Sequence, residues 1–201
     1  MAVNLAAPQL RREQLVERIA AEIETSGISP GSLTLELTES ALIENFDVAV
    51  AVVERLSGIG ACVALDDFGT GYSSLSYLKD FPIDVVKIDR SFFTDFPDEE
   101  HSMTIVGAII SLVHSLGLKV VAEGVETEGQ LAFLQSLSVD TVQGYYFSAP
   151  LTREQASVLL ENQEAIRRKF HMAGPPPNVP VSQDGAAALS GVLSEAPRRA
   201  A

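Results

Sequence analysis

The 201-residue chain carries 14 lysines and arginines against 27 aspartates and glutamates, a formal net charge of −13. That balance argues against DNA or RNA as a partner, since such binding rests on neutralising phosphates with basic side chains. With 46% apolar and 20% charged residues the composition is that of a soluble globular domain; the apolar stretch Ile105–Val113 is too short for a membrane segment, no secretion signal opens the chain, and a cytoplasmic location is the default.

In chain order, short runs rich in Val, Ile and Leu predict strands over Ala2–Leu5, Leu33–Leu37, Cys62–Asp66, Asp84–Ile88, Leu118–Glu123 and Thr141–Phe147. Being nearly continuously apolar, they read as strands buried on both faces, as in parallel sheets covered by helices. Helical patterns fall between them, over Gln9–Thr25, Asp47–Ser57, Ser73–Leu78, Glu99–Leu116 and Glu128–Leu137, with Arg153–Lys169 after the last strand. Gly27, Gly58 with Gly60, and Gly117 mark helix ends. Six strand-helix units, repeating at roughly thirty residues and lacking a glycine-rich phosphate loop after the first strand, predict an α/β fold of the (β/α)₈ barrel type, incomplete, with six of eight units present. The absent pair is expected ahead of Met1, which would leave the first and last strands as open sheet edges. The barrel domain is expected over residues 1–170, and the Pro/Gly/Ala-rich stretch 171–201 reads as a disordered tail.

Parallel barrel strands gather their C-terminal ends at one face, where barrel enzymes place their chemistry. The predicted strands end on Asn4, Glu36, Asp66 with Asp67, Lys87, Glu123 and Gln143. Carboxylate and amide oxygens around one mouth suit a hard divalent cation, with a lysine left to hold a water or a phosphate. A bound cation would also let an acidic pocket accept a small phosphorylated ligand. The strongest local signal is Asp66-Asp67-Phe68-Gly69-Thr70-Gly71-Tyr72-Ser73-Ser74-Leu75, because adjacent carboxylates repel unless a cation or strong donors compensate. Gly69 and Gly71, flanking Thr70, suit a mobile loop over the site. Glu36 alternates with Leu35 and Leu37 and so faces the barrel axis. For Glu39, an anchor for the 66–74 loop and a plain surface carboxylate are both open readings. Lys87, followed by Ile88 and Asp89, would hold water or phosphate if charged and take a proton if neutral; the competing reading is a structural salt bridge to Asp89 or Asp66. Glu123-Gly124 and Gln143-Gly144 leave room for a ligand to approach the backbone, with Glu126 close behind. Cys62 reads as a small buried side chain. His101, His114 and His171 fall away from every strand end, and Ser73 and Ser74 lack a histidine partner for a triad.

Together, Val3-Asn4-Leu5, Glu36-Leu-Thr-Glu39-Ser40, the Asp66–Leu75 run, Lys87-Ile-Asp89, Ala122-Glu123-Gly-Val-Glu126-Thr127 and Gln143-Gly-Tyr145 resemble the EAL-domain family of bacterial phosphodiesterases that linearise cyclic-di-GMP. The match runs from about Ala2 to Glu161, in the family's order. It implies that Asn4, Glu36, Asp66 and Glu123 ligate metal, with Asp67 at or between two ions, Mg²⁺ or Mn²⁺. It further implies that Lys87 positions or deprotonates the attacking water, that Glu39 holds the 66–74 loop, that Glu126 and Gln143 support the metal-water network, and that Asp89 lies beside Lys87. The Glu-Ala-Leu signature itself, and the arginine near it, are absent from this sequence; family members place both before the Asn4 strand. Two further readings stand beside a metal-dependent phosphodiesterase. One is an inactive module for cyclic-di-GMP binding, regulation or dimerisation; the other is an enolase-type barrel with Lys87 as a carbon-acid base. A homodimer, and an upstream sensor or diguanylate-cyclase-type domain in a longer protein, are the partners the resemblance suggests.

Overall fold

The computed structural model describes residues 1–69, 78–93 and 100–161; the expectations for Thr70, Gly71, most of the Ser73–Leu78 helix, the end of the Arg153–Lys169 helix, His171 and the tail lie outside them. Six strands, β1 (Ala2–Asn4), β2 (Thr34–Thr38), β3 (Cys62–Phe68), β4 (Val85–Ile88), β5 (Lys119–Ala122) and β6 (Thr141–Val142), pair in chain order, and every pair is parallel. The helices are α1 (Ala7–Leu10), α2 (Leu15–Ser26), α3 (Glu39–Ile43), α4 (Phe46–Gly58), α5 (Glu100–Ser115), α6 (Glu128–Ser136) and α7 (Arg153–Glu161), with short 3-10 turns at Pro30–Ser32 and Arg90–Phe93. Parallel strands added in strict sequence are the winding of a barrel, whereas a doubly wound sheet reverses its order part-way. The result is an incomplete (β/α) barrel in which, among the described residues, β1 and β6 each have one strand neighbour.

Alternation along each strand divides the structure into two faces. On β2, Leu35 and Leu37 are buried in the large core cluster with Val53 and Leu56 of α4, while Thr34, Glu36 and Thr38 turn to the other side. On β4 and β5, Val86, Ile88, Val120 and Ala122 join that helix-facing core, and Val85 and Val121 form a separate small cluster with Ala64, flanked by Cys62. The helix-facing layer therefore supplies most of the hydrophobic stabilisation, on the order of 1.5–3 kcal/mol for each fully buried large side chain. The inner face, small and apolar in its middle, is left to carry polar groups at its C-terminal rim.

Register is pinned from the opposite end. Asp84 and Asp140, each immediately ahead of a strand, accept a hydrogen bond through Oδ2 from the backbone N–H of Val63 and of Val120, both at 2.9 Å. Each aspartate thus satisfies a ladder donor where the neighbouring strand has not yet begun. A one-residue slip would lose these bonds and turn the rim residues onto the helix side.

Three elements differ from the sequence expectation. A short helix, α3, forms over Glu39–Ile43 where none was expected, with Thr38 Oγ1 accepting from Ala41 N–H at 3.4 Å at its start. The single helix expected over Gln9–Thr25 is broken into α1 and α2, joined by turn bonds from Arg12 N–H to the Gln9 carbonyl and from Leu15 N–H to the Arg12 carbonyl. Leu10 and Val16 are both buried, so apolar spacing runs on across the break. The strand expected over Thr141–Phe147 stops at Val142. A Cβ on Gly144 would lie 2.2 Å from both N and O of Val125, and the chain there folds over: Tyr146 N–H donates to the Val125 carbonyl and Phe147 N–H to the Gly144 carbonyl.

Candidate functional site

The C-terminal strand ends bring four charged side chains to one point. Lys87, from the inner face of β4, places its Nζ 2.8 Å from Glu36 Oε1 (β2), 2.9 Å from Asp66 Oδ1 (β3) and 2.7 Å from Glu123 Oε1, just past β5. The lysine side chain is 7% exposed and the three acids 12–17%. Gln143 completes the ring by donating from Nε2 to Glu123 Oε1. Of the two salt bridges weighed for Lys87 from sequence, the one to Asp66 is present.

One ammonium faces three carboxylates, so the cluster keeps a surplus of negative charge, and its protonation follows. Burial alone would lower the Lys87 pKa, but hydrogen bonds to Glu123, Glu36 and Asp66 outweigh it and hold the pKa above the ordinary lysine value. Lys87 is therefore an ammonium throughout the neutral range. Glu123 sits above the usual carboxylate range because burial and the fields of Asp66 and Glu36 exceed the lowering by Lys87.

Asp67 leaves the strand direction. The β3–β4 register shifts between Leu65 and Phe68, and Asp67 adopts φ 54°, the left-handed region that non-glycine residues seldom occupy. Its N–H donates to Asp66 Oδ1 at 3.0 Å. Burial, then Asp66 and Asp89, raise its pKa, partly opposed by Lys87. Asp89 itself lies low despite its burial, because Ser91 and the backbone N–H groups of the following turn hydrogen-bond its carboxylate. Gly69 closes the bulge at φ 93°, where an added Cβ would meet the Phe92 ring at 2.4 Å. Asn4 stands beside Glu36 in the β1–β2 register. Asn4, Glu36, Thr38, Ser40, Asp66 and Asp67 are among the residues lining an open cleft of about 720 Å³ next to the cluster; that volume is in the range of small-molecule sites.

Glu39 and Glu126 stand apart from the cluster. Glu39 begins α3 and borders a small apolar cavity with Leu42, Phe68 and Phe81, close to the start of the Gly69 segment. Glu126 is exposed on the β5–α6 loop, held there through its backbone N–H by Gln130 Oε1. Gln130, 7% exposed, is buried against the hydropathy pattern, although Thr127-x-x-Gln130 has the spacing of a capping box. His114 pairs with Asp140 at the far end of the sheet, away from the acids.

The donor chemistry fits a divalent cation: buried-rim carboxylates with excess negative charge already gather a positive group at their focus. Among the described residues no three His, Cys, Asp or Glu side chains are arranged to hold an ion as they stand; Glu36, Asp66 and Glu123 each meet Lys87 Nζ.

A parallel barrel segment whose strand ends surround a lysine-centred acidic cluster is the class that fold and site define. The EAL domain family model matches residues 1–150, and the chain belongs to the EAL domain family. It is 45% identical over 176 residues to the cyclic di-GMP phosphodiesterase NbdA of Pseudomonas aeruginosa, covering 88% of this chain and 22% of NbdA. The chain thus spans about a fifth of the length of the curated relatives it matches. A solved phosphodiesterase structure of MucR from the same organism, in complex with c-di-GMP, superposes with TM-score 0.73 at 41% identity over 77% of this chain and 63% of that one. Klebsiella pneumoniae BlrP1, solved with manganese and cyclic-di-GMP, superposes with TM-score 0.70 at 35% identity, over 74% of this chain and 38% of that one.

Proposed function

We propose that this chain supplies the catalytic strand ends of a cyclic-di-GMP phosphodiesterase, hydrolysing cyclic-di-GMP to linear pGpG in bacterial second-messenger signalling. The observation that carries the reading is the convergence of Glu36, Asp66 and Glu123 on one cation, Lys87 Nζ. Asn4, Glu36, Asp66, Asp67 and Glu123 would hold two ions, Mg²⁺ or Mn²⁺; when bound, such ions polarise a phosphodiester and lower the pKa of water. The charged state of Lys87 supports its holding a phosphate oxygen or the attacking water rather than taking a proton, and it withdraws support from a carbon-acid base. Asp67, which lines the cleft beside Asp66, would lie at or between the two ions and orient the attacking water, with Glu126 and Gln143 supporting the metal-water network. Glu39, Gly69, Thr70 and Gly71 would shape the segment over the site, and Asp89 would hold the turn beside Lys87.

A second reading, a module for cyclic-di-GMP binding, regulation or dimerisation without turnover, is favoured by the acids meeting Lys87: among the described residues no three His, Cys, Asp or Glu side chains are arranged to hold an ion. A cytoplasmic location, a homodimer, and a sensor or diguanylate-cyclase-type domain upstream in a longer protein complete the proposal; the relative MucR is described as a bifunctional diguanylate cyclase/cyclic di-GMP phosphodiesterase. Chromatography of cyclic-di-GMP incubated with Mn²⁺ and the chain supplied with the strands that carry the Glu-Ala-Leu signature tests the first reading, which expects pGpG with the restored protein and none with its Glu36→Gln variant or excess chelator. Calorimetric binding without conversion would select the second reading. Neither binding nor conversion refutes both.

A further inference from the structure

The loop after β5 carries Glu123 at one end and Glu126 at the other, and the turn after β4 carries Asp89 two residues beyond Lys87. These segments belong to neighbouring strands whose regular ladder ends at Ile88 and Ala122, followed by one more bond, from Glu123 N–H to the Ile88 carbonyl. Beyond it a buried side chain, Gln130, hydrogen-bonds to both. Gln130 Oε1 accepts from Glu126 N–H at 2.7 Å and from Thr127 N–H at 3.0 Å, and its Nε2 donates to the Phe93 carbonyl at 2.9 Å. The acceptor end caps the start of α6; the donor end reaches the last residue of the 3-10 turn Arg90–Phe93.

We infer that Gln130 is a positioning residue, setting the Glu123–Glu126 loop against the Lys87–Phe93 turn and thereby the approach of Glu123 to Lys87 and to a bound cation. Two further contacts leave the loop little freedom to compensate. The Arg90 Cβ lies 2.3 Å from where a Cβ on Gly124 would be, so the two segments press together there. On the other side Val125 N–H donates to the Gln143 carbonyl, and the Val125 carbonyl accepts from Tyr146 N–H. The loop is therefore seated between the turn and the segment after β6, and Gln130 bonds to both loop and turn. Groups that orient cation-binding side chains typically change metal affinity by 10–100-fold when removed.

The two ends of the amide can be separated. Gln130→Glu keeps acceptor oxygens for Glu126 and Thr127 but sets a carboxylate against the Phe93 carbonyl; Gln130→Met removes both ends; Thr127→Ala removes the hydroxyl that accepts Gln130 N–H at 3.2 Å and leaves the link to Phe93. Two measurements are made on the whole chain: the ¹⁵Nζ resonance of Lys87, which its carboxylate partners protect from exchange, and Mn²⁺ affinity by calorimetry. Both Gln130 variants are expected to shift or broaden the Lys87 resonance and to weaken Mn²⁺ at least tenfold, with Thr127→Ala unchanged in both. If Gln130→Glu matches wild type, or if Thr127→Ala loses as much as Gln130→Met, the side chain is only a helix cap and the inference falls. Should Gln130→Glu fail to fold, Gln130→Met against Thr127→Ala decides. The inference rests on the cation-site reading, yet the two fail differently: wild type without Mn²⁺ affinity sinks that reading, while the Lys87 resonance, measured without metal, still decides the role of Gln130.

Discussion

Replacing Lys87 by methionine keeps much of the side-chain volume and removes the charge. Glu36, Asp66 and Glu123 would then face one another, 12–17% exposed, with no cation between them. Removing one partner of a buried ion pair costs about 3–5 kcal/mol; the partial exposure of the acids pulls toward the lower end, and the presence of three of them toward the upper. For a chain of this size about 4 kcal/mol corresponds to a fall in Tm of roughly 8–16 °C. The pH dependence gives the sharper test. In the variant the uncompensated carboxylates would have folded-state pKa values raised above their unfolded values near about 4, so stability is lost as pH rises through that window. The gap between wild type and Lys87→Met should be small at pH 4 and full at pH 7, and Mn²⁺ should narrow it at pH 7 by replacing the missing charge. On the alkaline side, the wild-type Lys87 pKa is raised, so its contribution is complete below the ordinary lysine value near about 10.4 and is lost only as pH climbs through the folded value. Urea titrations at each pH measure the gap. A difference equal at pH 4 and pH 7, or below about 1 kcal/mol throughout, would refute the claim that the ammonium holds three carboxylates together.

Gly124→Ala should destabilise by about 1–3 kcal/mol, since φ 68° is strained for alanine and the Arg90 Cβ occupies the space the methyl needs; Gly31→Ala, with open space at that position, should change thermal unfolding by less than about 0.5 kcal/mol. Equal effects at the two glycines would contradict the packing account. Burial, then Asp84, pushes the Cys62 thiol up to about 11. At pH 8 a disulfide reagent should therefore modify native Cys62 on the order of a hundredfold more slowly than the urea-unfolded chain, and comparable rates would show that the inner face is open to solvent there.

The alternation of Leu35 and Leu37 with Glu36, and the placement of Lys87 between Val86 and Ile88, made the two faces of the sheet legible, because a strand's period of two separates what faces helices from what does not. Strand order followed from the repeat. Less legible were places where a contact distant in sequence overrides local pattern: the Gly144 approach to Val125 ends β6 early although Tyr145, Tyr146 and Phe147 favour a strand. The charge on Lys87 was equally hidden, since it depends on three acids from three strands. Gln130 shows the same limit, for its Thr127 cap is a local pattern whereas its bond to Phe93 spans 37 residues.

Because apolar contacts with the helices lie on one side of β2, β3, β4 and β5 and the cluster of Glu36, Asp66, Lys87 and Glu123 on the other, architecture and reactivity can drift apart in descendants of such a chain. An exchange of Glu36 or Glu123 for its amide would leave Leu35, Leu37, Val120 and Ala122 in place, keeping the shape while weakening the pull on a cation. Shape-based kinship among these barrels therefore says little about which copies cut and which merely bind; the inward residues of three strands have to be read one at a time.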